Sequence, residues 1–336
     1  MTRIPVTILT GFLGAGKTTL LNRLMAQPGF GDTAVIVNEF GSVDIDGGLV
    51  EGADDRAFVS STGCLCCTVS GDVRLTLLRL KDEADSGAGP KFSRVVIETT
   101  GLADPAPVMQ TFMTNDMMLA AFTLNGVVTV VDAANAADTL QRFPEAIRQV
   151  GVADLLVISK TDLADAKPLR AHLAALAPNA RVMTADQVGV ADVFSLAAFD
   201  PATKPPSVQD WLRFDANHGH HHHHDHNPNR HGGLISAFCF TADQPIEDRV
   251  INMAIGALQQ TFGPDLLRLK AIVELTGHNS PTVFHVVQHL QSPPHRLADW
   301  PIGIDDTRIV VIASGRGRDQ LPPMLMMFMP ELRLVG

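Results

Sequence analysis

The chain contains no tyrosine and only two tryptophans, and its 26 basic residues are outnumbered by 36 acidic ones with no long Lys/Arg block among them. Nucleic acid is held through its phosphates by clustered cations and through its bases by aromatic stacking, so both routes are poorly supplied and nucleic acid is not an expected partner. Cysteine is scarce as well. There are four, and three of them, at 64, 66 and 67, are too close together for ordinary disulfide geometry, so a disulfide-stapled scaffold is excluded. Long apolar runs are also missing: the stretch from Met117 to Val131 is interrupted by Thr123, Asn125 and Gly126, and residues 4–9 run straight into a glycine loop without forming a signal peptide. A cytoplasmic protein without membrane contact is the expectation. Charged residues make up 18% of the chain and apolar ones 46%, which places it among globular proteins, and 336 residues suggest about two domains.

What is present first is rhythm. Short apolar runs at Pro5–Thr10, Ala34–Val37, Val95–Ile97, Gly126–Val131 and Asp154–Ile158 alternate with loops and helical patterns, as expected of buried parallel strands joined by crossover helices. From Pro201 the composition shifts to turn formers and histidine. After Gly233 a strand-like segment Leu234–Phe240 precedes a helix with apolar positions Ile246, Val250, Ile251, Ala254, Leu258 and Phe262, and strands are expected at Arg268–Glu274, Thr282–Val287 and Arg308–Ala313. The expected architecture is an α/β domain with a mostly parallel sheet over 1–205, a linker over 206–232 and a smaller α+β domain over 233–336.

The segment Gly11-Phe-Leu-Gly14-Ala15-Gly16-Lys17-Thr18 fits GxxxxGK[ST] and lies between a strand and a helix from Lys17 to about Met25. Its glycines turn backbone N–H groups toward phosphates, Lys17 reaches the β- and γ-phosphates, and the Thr18 hydroxyl ligates Mg²⁺. Thr19 completes the expected nucleotide contacts. Ser159-Lys160-Thr161-Asp162 follows the fifth strand, where GTPases carry the base-reading NKxD; an Asp there accepts from guanine N1–H and the 2-amino group, so GTP is favoured over ATP. The departure is Ser159 in the Asn position, which removes an amide that ties this loop to the phosphate loop and loosens the expected selectivity. The competing role for Asp162 is as cap of the next helix.

Glu98-Thr-Thr-Gly101 closes the third strand where P-loop GTPases carry DxxG, with Glu98 as a second Mg²⁺ ligand and Gly101 sensing the γ-phosphate; an ordinary strand-end Glu is the alternative. Asp104 reads as a helix cap ahead of Pro105, Asp132 as a cap first and a magnesium neighbour second, and Cys239 as core. Cys64, Cys66 and Cys67 can converge on one soft or borderline ion such as Zn²⁺ or Co²⁺; buried small side chains or a redox pair are the other readings. Glu39, in Asn38-Glu39-Phe40-Gly41, is a further metal candidate. His218 to His231 holds eight of the thirteen histidines, and His220, His221, His222, His223 and His224 form its densest run, able to gather metal weakly or to serve only as a solvated linker. His285 and His289 are expected to be exposed and structural.

In this order GFLGAGKTT, NEFG, GCLCCT, ETTGLADP and SKTDL resemble the CobW-like metal-chaperone GTPases, along nearly the whole chain. The resemblance implies GTP hydrolysis with Lys17, Glu98 and Gly101 in the machinery, and a Zn²⁺ or Co²⁺ cargo held by Cys64, Cys66 and Cys67. It also implies transfer of that metal to a client protein. The client is not specified, and self-association into a homo-oligomer is left open. Two other functions fit the same residues: metal storage on the histidine run, and cobalt delivery for cobalamin synthesis.

Overall fold

The computed structural model describes residues 3–38, 57–59, 65–69, 72–196, 235–300 and 304–335. The first sheet has eight strands in the order β3-β4-β2-β5-β1-β6-β7-β8. They are β1 (Ile4–Gly11), β2 (Thr33–Asn38), β3 (Ala57–Val59), β4 (Leu65–Val69), β5 (Arg94–Glu98), β6 (Phe122–Asp132), β7 (Leu155–Ser159) and β8 (Arg181–Thr184). All neighbours run parallel except the edge pair β3 and β4. The helices are α1 (Lys17–Met25), α2 (Val73–Ser86), α3 (Ala106–Thr114), α4 (Asp116–Ala121), α5 (Ala136–Arg142), α6 (Pro144–Gly151), α7 (Ala166–Leu176) and α8 (Val190–Phe194).

The strands read as unbroken apolar runs because both faces of the sheet are covered. Val6, Ile8, Ala34, Ile36, Val95 and Ile97 pack with α2 and α3 on one face. Their neighbours Leu9, Val35 and Val96 pack with Leu20, Leu21 and Leu24 of α1 on the other. The central strand β1 lies between β5 and β6, so the connections leave it in opposite directions and open a crevice at its C-terminal end. The phosphate loop sits in that crevice.

The second sheet is antiparallel, in the order β12-β11-β10-β14-β9-β15 with β13 beside β11. Its strands are β9 (Ile235–Ala242), β10 (Leu266–Val273), β11 (Thr282–Val287), β12 (Leu290–Gln291), β13 (His295–Arg296), β14 (Thr307–Ser314) and β15 (Arg333–Val335), and α9 (Asp248–Phe262) and α10 (Gly317–Phe328) cover one face. The opposite face meets the first unit: Ile235, Leu267 and Ile312 share an apolar cluster with Ile147, Val150, Leu156 and Leu173. Beside that cluster Asp154 Oδ1 accepts from Arg268 Nη2 at 2.9 Å and from Lys270 Nζ at 2.8 Å, both cations being buried and the carboxylate nearly so. His285 pairs across from Lys270 on this sheet. Its Nε2 is buried, contrary to the exposed position expected for it, whereas His289 is exposed as expected. Burial, then the charges of Arg268 and Lys270, drive the His285 imidazole well below its ordinary range, so it is neutral at pH 7. The expected boundaries at 205/206 and 232/233, and the whole histidine run from His218 to His231 including His220–His224, lie outside the described residues.

Candidate functional site

The phosphate loop is built by a strand that cannot continue. Gly11 has φ 140°, and a Cβ there would stand 2.3 Å from the Val130 carbonyl oxygen of β6, so only glycine passes. Gly14, Ala15 and Gly16 carry the chain around to Lys17, the first residue of α1. Lys17 Nζ folds back on the loop and donates to the carbonyls of Gly11 at 2.9 Å and Phe12 at 3.3 Å. Burial lowers its pKa, and the Glu98 carboxylate opposes that shift. Thr18 and Thr19 are exposed at the helix start.

Thr18 Oγ1 donates to Glu98 Oε1 at 2.6 Å across 80 residues of sequence. Two hard oxygen donors are thus brought together beside a helix N-terminus, a donor set that fits Mg²⁺ and does not favour a soft ion. Glu98 is buried at the end of β5 and is not an ordinary surface carboxylate. The next residue is pinned too: Thr99 N donates to Leu9 O, and Thr99 Oγ1 to Thr10 Oγ1 at 2.8 Å. Gly101 then passes so close over the phosphate loop that a Cβ would lie 2.5 Å from Leu13 Cα.

The base loop departs from expectation in an instructive way. Ser159 Oγ donates to Ala15 O at 2.6 Å, with Val131 O at 3.4 Å, so the tie to the phosphate loop that the missing amide was expected to cost is made by the hydroxyl. Lys160 adopts φ 54°, and its Nζ lies 2.6 Å from Asp132 Oδ2. Asp132 also accepts from Ala134 N and Asn135 Nδ2, both at 2.8 Å; the cap position of α5 is Asn135, so Asp132 is a turn residue and a lysine partner and not the helix cap expected of it. Asp162 is exposed in the turn that follows, and the cap of α7 is Asp165, whose Oδ1 accepts from Lys167 N. That removes the capping role as the reason for Asp162.

Asp104 Oδ1 accepts from Ala106 N at 2.9 Å, the cap position of α3 itself falling to Pro105, and its other oxygen accepts from Gln288 Nε2 of the second sheet at 2.8 Å. Gln149 of α6 donates to the carbonyls of Gly101 at 3.2 Å and Ala103 at 3.0 Å. Sequence reasoning missed Gln149 and Gln288 because an amide in an amphipathic helix or at a strand end carries no motif, and their partners lie 48 and 184 residues away. Between Phe12–Ala15, the end of β6, α5 and α6 there is a cavity of about 310 Å³.

Cys66 and Cys67 belong to β4, whose backbone pairs with β2. Cys64 and Glu39 lie outside the described residues, as do the side chains of Cys66 and Cys67. Val37 of β2 is level with Thr68 on one side and Glu98 on the other, so the cysteine strand and the Glu98 strand flank the same neighbour, about 10 Å apart at the usual strand spacing. Among the described residues no three His, Cys, Asp or Glu side chains are grouped to hold a metal.

A family profile described as the CobW/HypB/UreG nucleotide-binding domain matches residues 5–186, and one described as the cobalamin synthesis protein cobW C-terminal domain matches residues 235–328. The zinc chaperone YjiA of Escherichia coli strain K12 is 33% identical over 303 residues, 89% of each chain. The zinc chaperone CobW of a Sinorhizobium species is 35% identical over 199 residues, covering 50% of this chain and 54% of its own. The crystal structure of Zn(II)-bound YjiA GTPase from E. coli superposes with a TM-score of 0.77 at 30% identity, covering 98% of this chain and 99% of that one.

Proposed function

The chain belongs to the CobW/HypB/UreG family and is a GTPase, and from that premise we propose that it carries Zn²⁺ to a client protein, with its own nucleotide cycle deciding when the metal is held. The observation that carries this reading is the ladder Glu98–Val37–Thr68: the carboxylate beside the phosphate loop and the strand bearing Cys66 and Cys67 are braced against one intervening strand. A change at the γ-phosphate is therefore felt two strands from the cysteines.

In this reading the loop Gly11–Thr18 wraps the phosphates, and Lys17 exchanges its carbonyl partners for the β- and γ-phosphate oxygens. Thr18 and Glu98 are the residues to hold Mg²⁺, which supplies charge neutralisation on the phosphates. Gly101 offers its N–H toward the γ-phosphate, and Asp162 takes the guanine N1–H and 2-amino donors. Water attacks the γ-phosphorus, the bond to the β-bridging oxygen breaks, and GDP and phosphate leave. Cys64, Cys66 and Cys67 are the proposed thiolate ligands of the cargo, with the fourth position left for the client. Nucleotide and metal affect each other by the same factor, so a GTP form that binds metal tightly is itself tightened by metal.

The test is a competitive Zn²⁺ titration under anaerobic, reducing conditions, on the full chain and on a variant lacking residues 218–231. One tight equivalent is expected with Mg²⁺ and a non-hydrolysable GTP analogue, weaker with GDP by about 5- to 150-fold, and absent in Cys66→Ala. Equal affinity in both nucleotide states, or an unaltered site in Cys66→Ala, overturns the proposal.

A further inference from the structure

The base loop Ser159–Asp162 is short of anchors. A serine hydroxyl donates one hydrogen bond where an asparagine amide donates two, and Ser159 spends its one on Ala15 O. The following residue, Lys160, sits in the left-handed region at φ 54°, which carries a steric penalty for any residue with a Cβ and persists only where surrounding contacts hold it. Two contacts hold it: Leu163 N donates to the Lys160 carbonyl at 3.0 Å, and Asp132 takes the side-chain ammonium. The two strands stand in register there, with Asp132 opposite Ser159 and Ala133 N donating to Ser159 O at 3.0 Å.

The division of labour on the Asp132 carboxylate argues that this is more than a turn. Oδ1 takes the Ala134 N–H, which closes the turn after β6. Oδ2 takes Asn135 Nδ2 and Lys160 Nζ, so the second oxygen is itself held in place by the turn before α5 and passes that fixity to the lysine. Asp132 is largely covered, at 11% side-chain exposure, while Lys160 is 35% exposed. Burial alone pushes the Asp132 carboxyl up; the hydrogen bonds from Lys160, Asn135 and Ala134 N outweigh it and leave the group ionised at neutral pH.

We infer that Asp132 is a positioning residue for guanine selection: by clamping Lys160 in its left-handed conformation, it sets where the carboxylate of Asp162 meets the base. The inference rests on the reading of Ser159–Asp162 as the guanine-contacting loop. It assigns base selectivity to a residue 30 positions upstream of the one that touches the base, on a different strand.

The experiment measures affinities for GTP, for ITP, which lacks the 2-amino group, and for XTP, by competition against a fluorescent nucleotide on the full chain. Asp162→Asn comes first: loss of GTP with a gain of XTP supports the guanine-contacting loop, and an unchanged GTP/ITP ratio in this variant overturns that reading whatever Asp132 does. With the loop established, Asp132→Asn is expected to weaken GTP about tenfold and ITP much less, so that the GTP/ITP ratio falls toward one, and Asp132→Glu to recover most of it. Lys160→Met, which leaves the turn bonds of Asp132 intact, is expected to lower the same ratio, and adding it to Asp132→Asn to bring little further loss. If GTP and ITP weaken equally in Asp132→Asn, or if the double variant loses the full product of the two single effects, the positioning role is overturned. Should Asp132→Asn not fold, Asp132→Glu and Lys160→Met decide the matter on the same ratio.

Discussion

Gly101 closes against the phosphate loop with no room for a methyl group, because a Cβ would meet Leu13 Cα at 2.5 Å. With Gly101 in its proposed role beside the γ-phosphate, Gly101→Ala should lift the loop after β5 away from that phosphate while leaving the base loop and Lys17 untouched. A displacement of about 1 Å at a reacting centre costs roughly 100-fold in rate. Phosphate release should fall by about that factor while GDP affinity, measured by fluorescent-nucleotide titration, stays within a few-fold of the parent. At this scale the sequence was informative wherever a motif prescribes both residue type and neighbour: Gly11–Thr18 and Glu98 are brought together as their pattern requires. It was misleading at Ser159 and Asp132. A missing amide looks like a lost contact until the short hydroxyl is found 2.6 Å from Ala15 O, and an Asp after a strand looks like a cap until a lysine from the next strand is found on its second oxygen.

Among the elements, α6 does more than pack. Gln149 projects from it to hold the Gly101 and Ala103 carbonyls, and its own carbonyl accepts from Thr129 Oγ1 at 2.7 Å, so the helix ties β6 to the loop that follows Glu98. Gln149→Leu keeps the volume and removes both donated bonds, leaving two carbonyls to find water. The expected cost is about 1–2 kcal/mol. Hydrogen exchange in residues 99–105 should accelerate roughly 5- to 30-fold, with β1 and β7 unaffected. The five strands read from apolar runs are found because burial on both faces leaves no polar alternation to obscure them. α10 escaped the reading because Pro322 and Pro323 stand inside it; Leu321 and Leu325 bury it against the second sheet, and that tertiary packing overrides the local penalty. The strand β4 escaped as well, since three cysteines in four residues speak of chemistry before they speak of backbone.

At the scale of the whole molecule, the apolar contact between the two units is accompanied by a buried charged cluster, Asp154 with Arg268 and Lys270. Burial pushes the Asp154 carboxyl up, but Arg268, then Lys270 with its hydrogen bond, reverse this and hold it well below the usual carboxylate range. Lys270 is pulled down to about 8 by burial and by Arg268, against the opposing pull of Asp154. Its folded pKa lies below the unfolded value of about 10.4, so between pH 8 and 10 the folded chain binds fewer protons than the unfolded one and stability rises with pH. Lys270→Met should flatten that rise in thermal melts across pH 7–10. The acid side has the opposite origin: the Asp154 contribution is complete above the unfolded carboxylate pKa of about 3.9 and is lost as pH falls through the lower folded value. Asp154→Ala leaves two buried cations uncompensated and should cost about 3–5 kcal/mol at pH 7, while a matched apolar replacement of all three groups should cost far less.

The same contact fixes an order of events during synthesis. The first sheet and the apolar face of α6, α7 and β7 are complete at Thr184, 84 residues before Arg268 leaves the ribosome, an interval of roughly 4 to 17 seconds at ordinary elongation rates. For that time a finished nucleotide-binding sheet stands with an uncovered greasy surface and a carboxylate at its centre that still has access to water. The nascent chain is thus exposed to holdase chaperones at one defined stage, and slow codons between 185 and 268 would lengthen that stage without altering a single residue of the product.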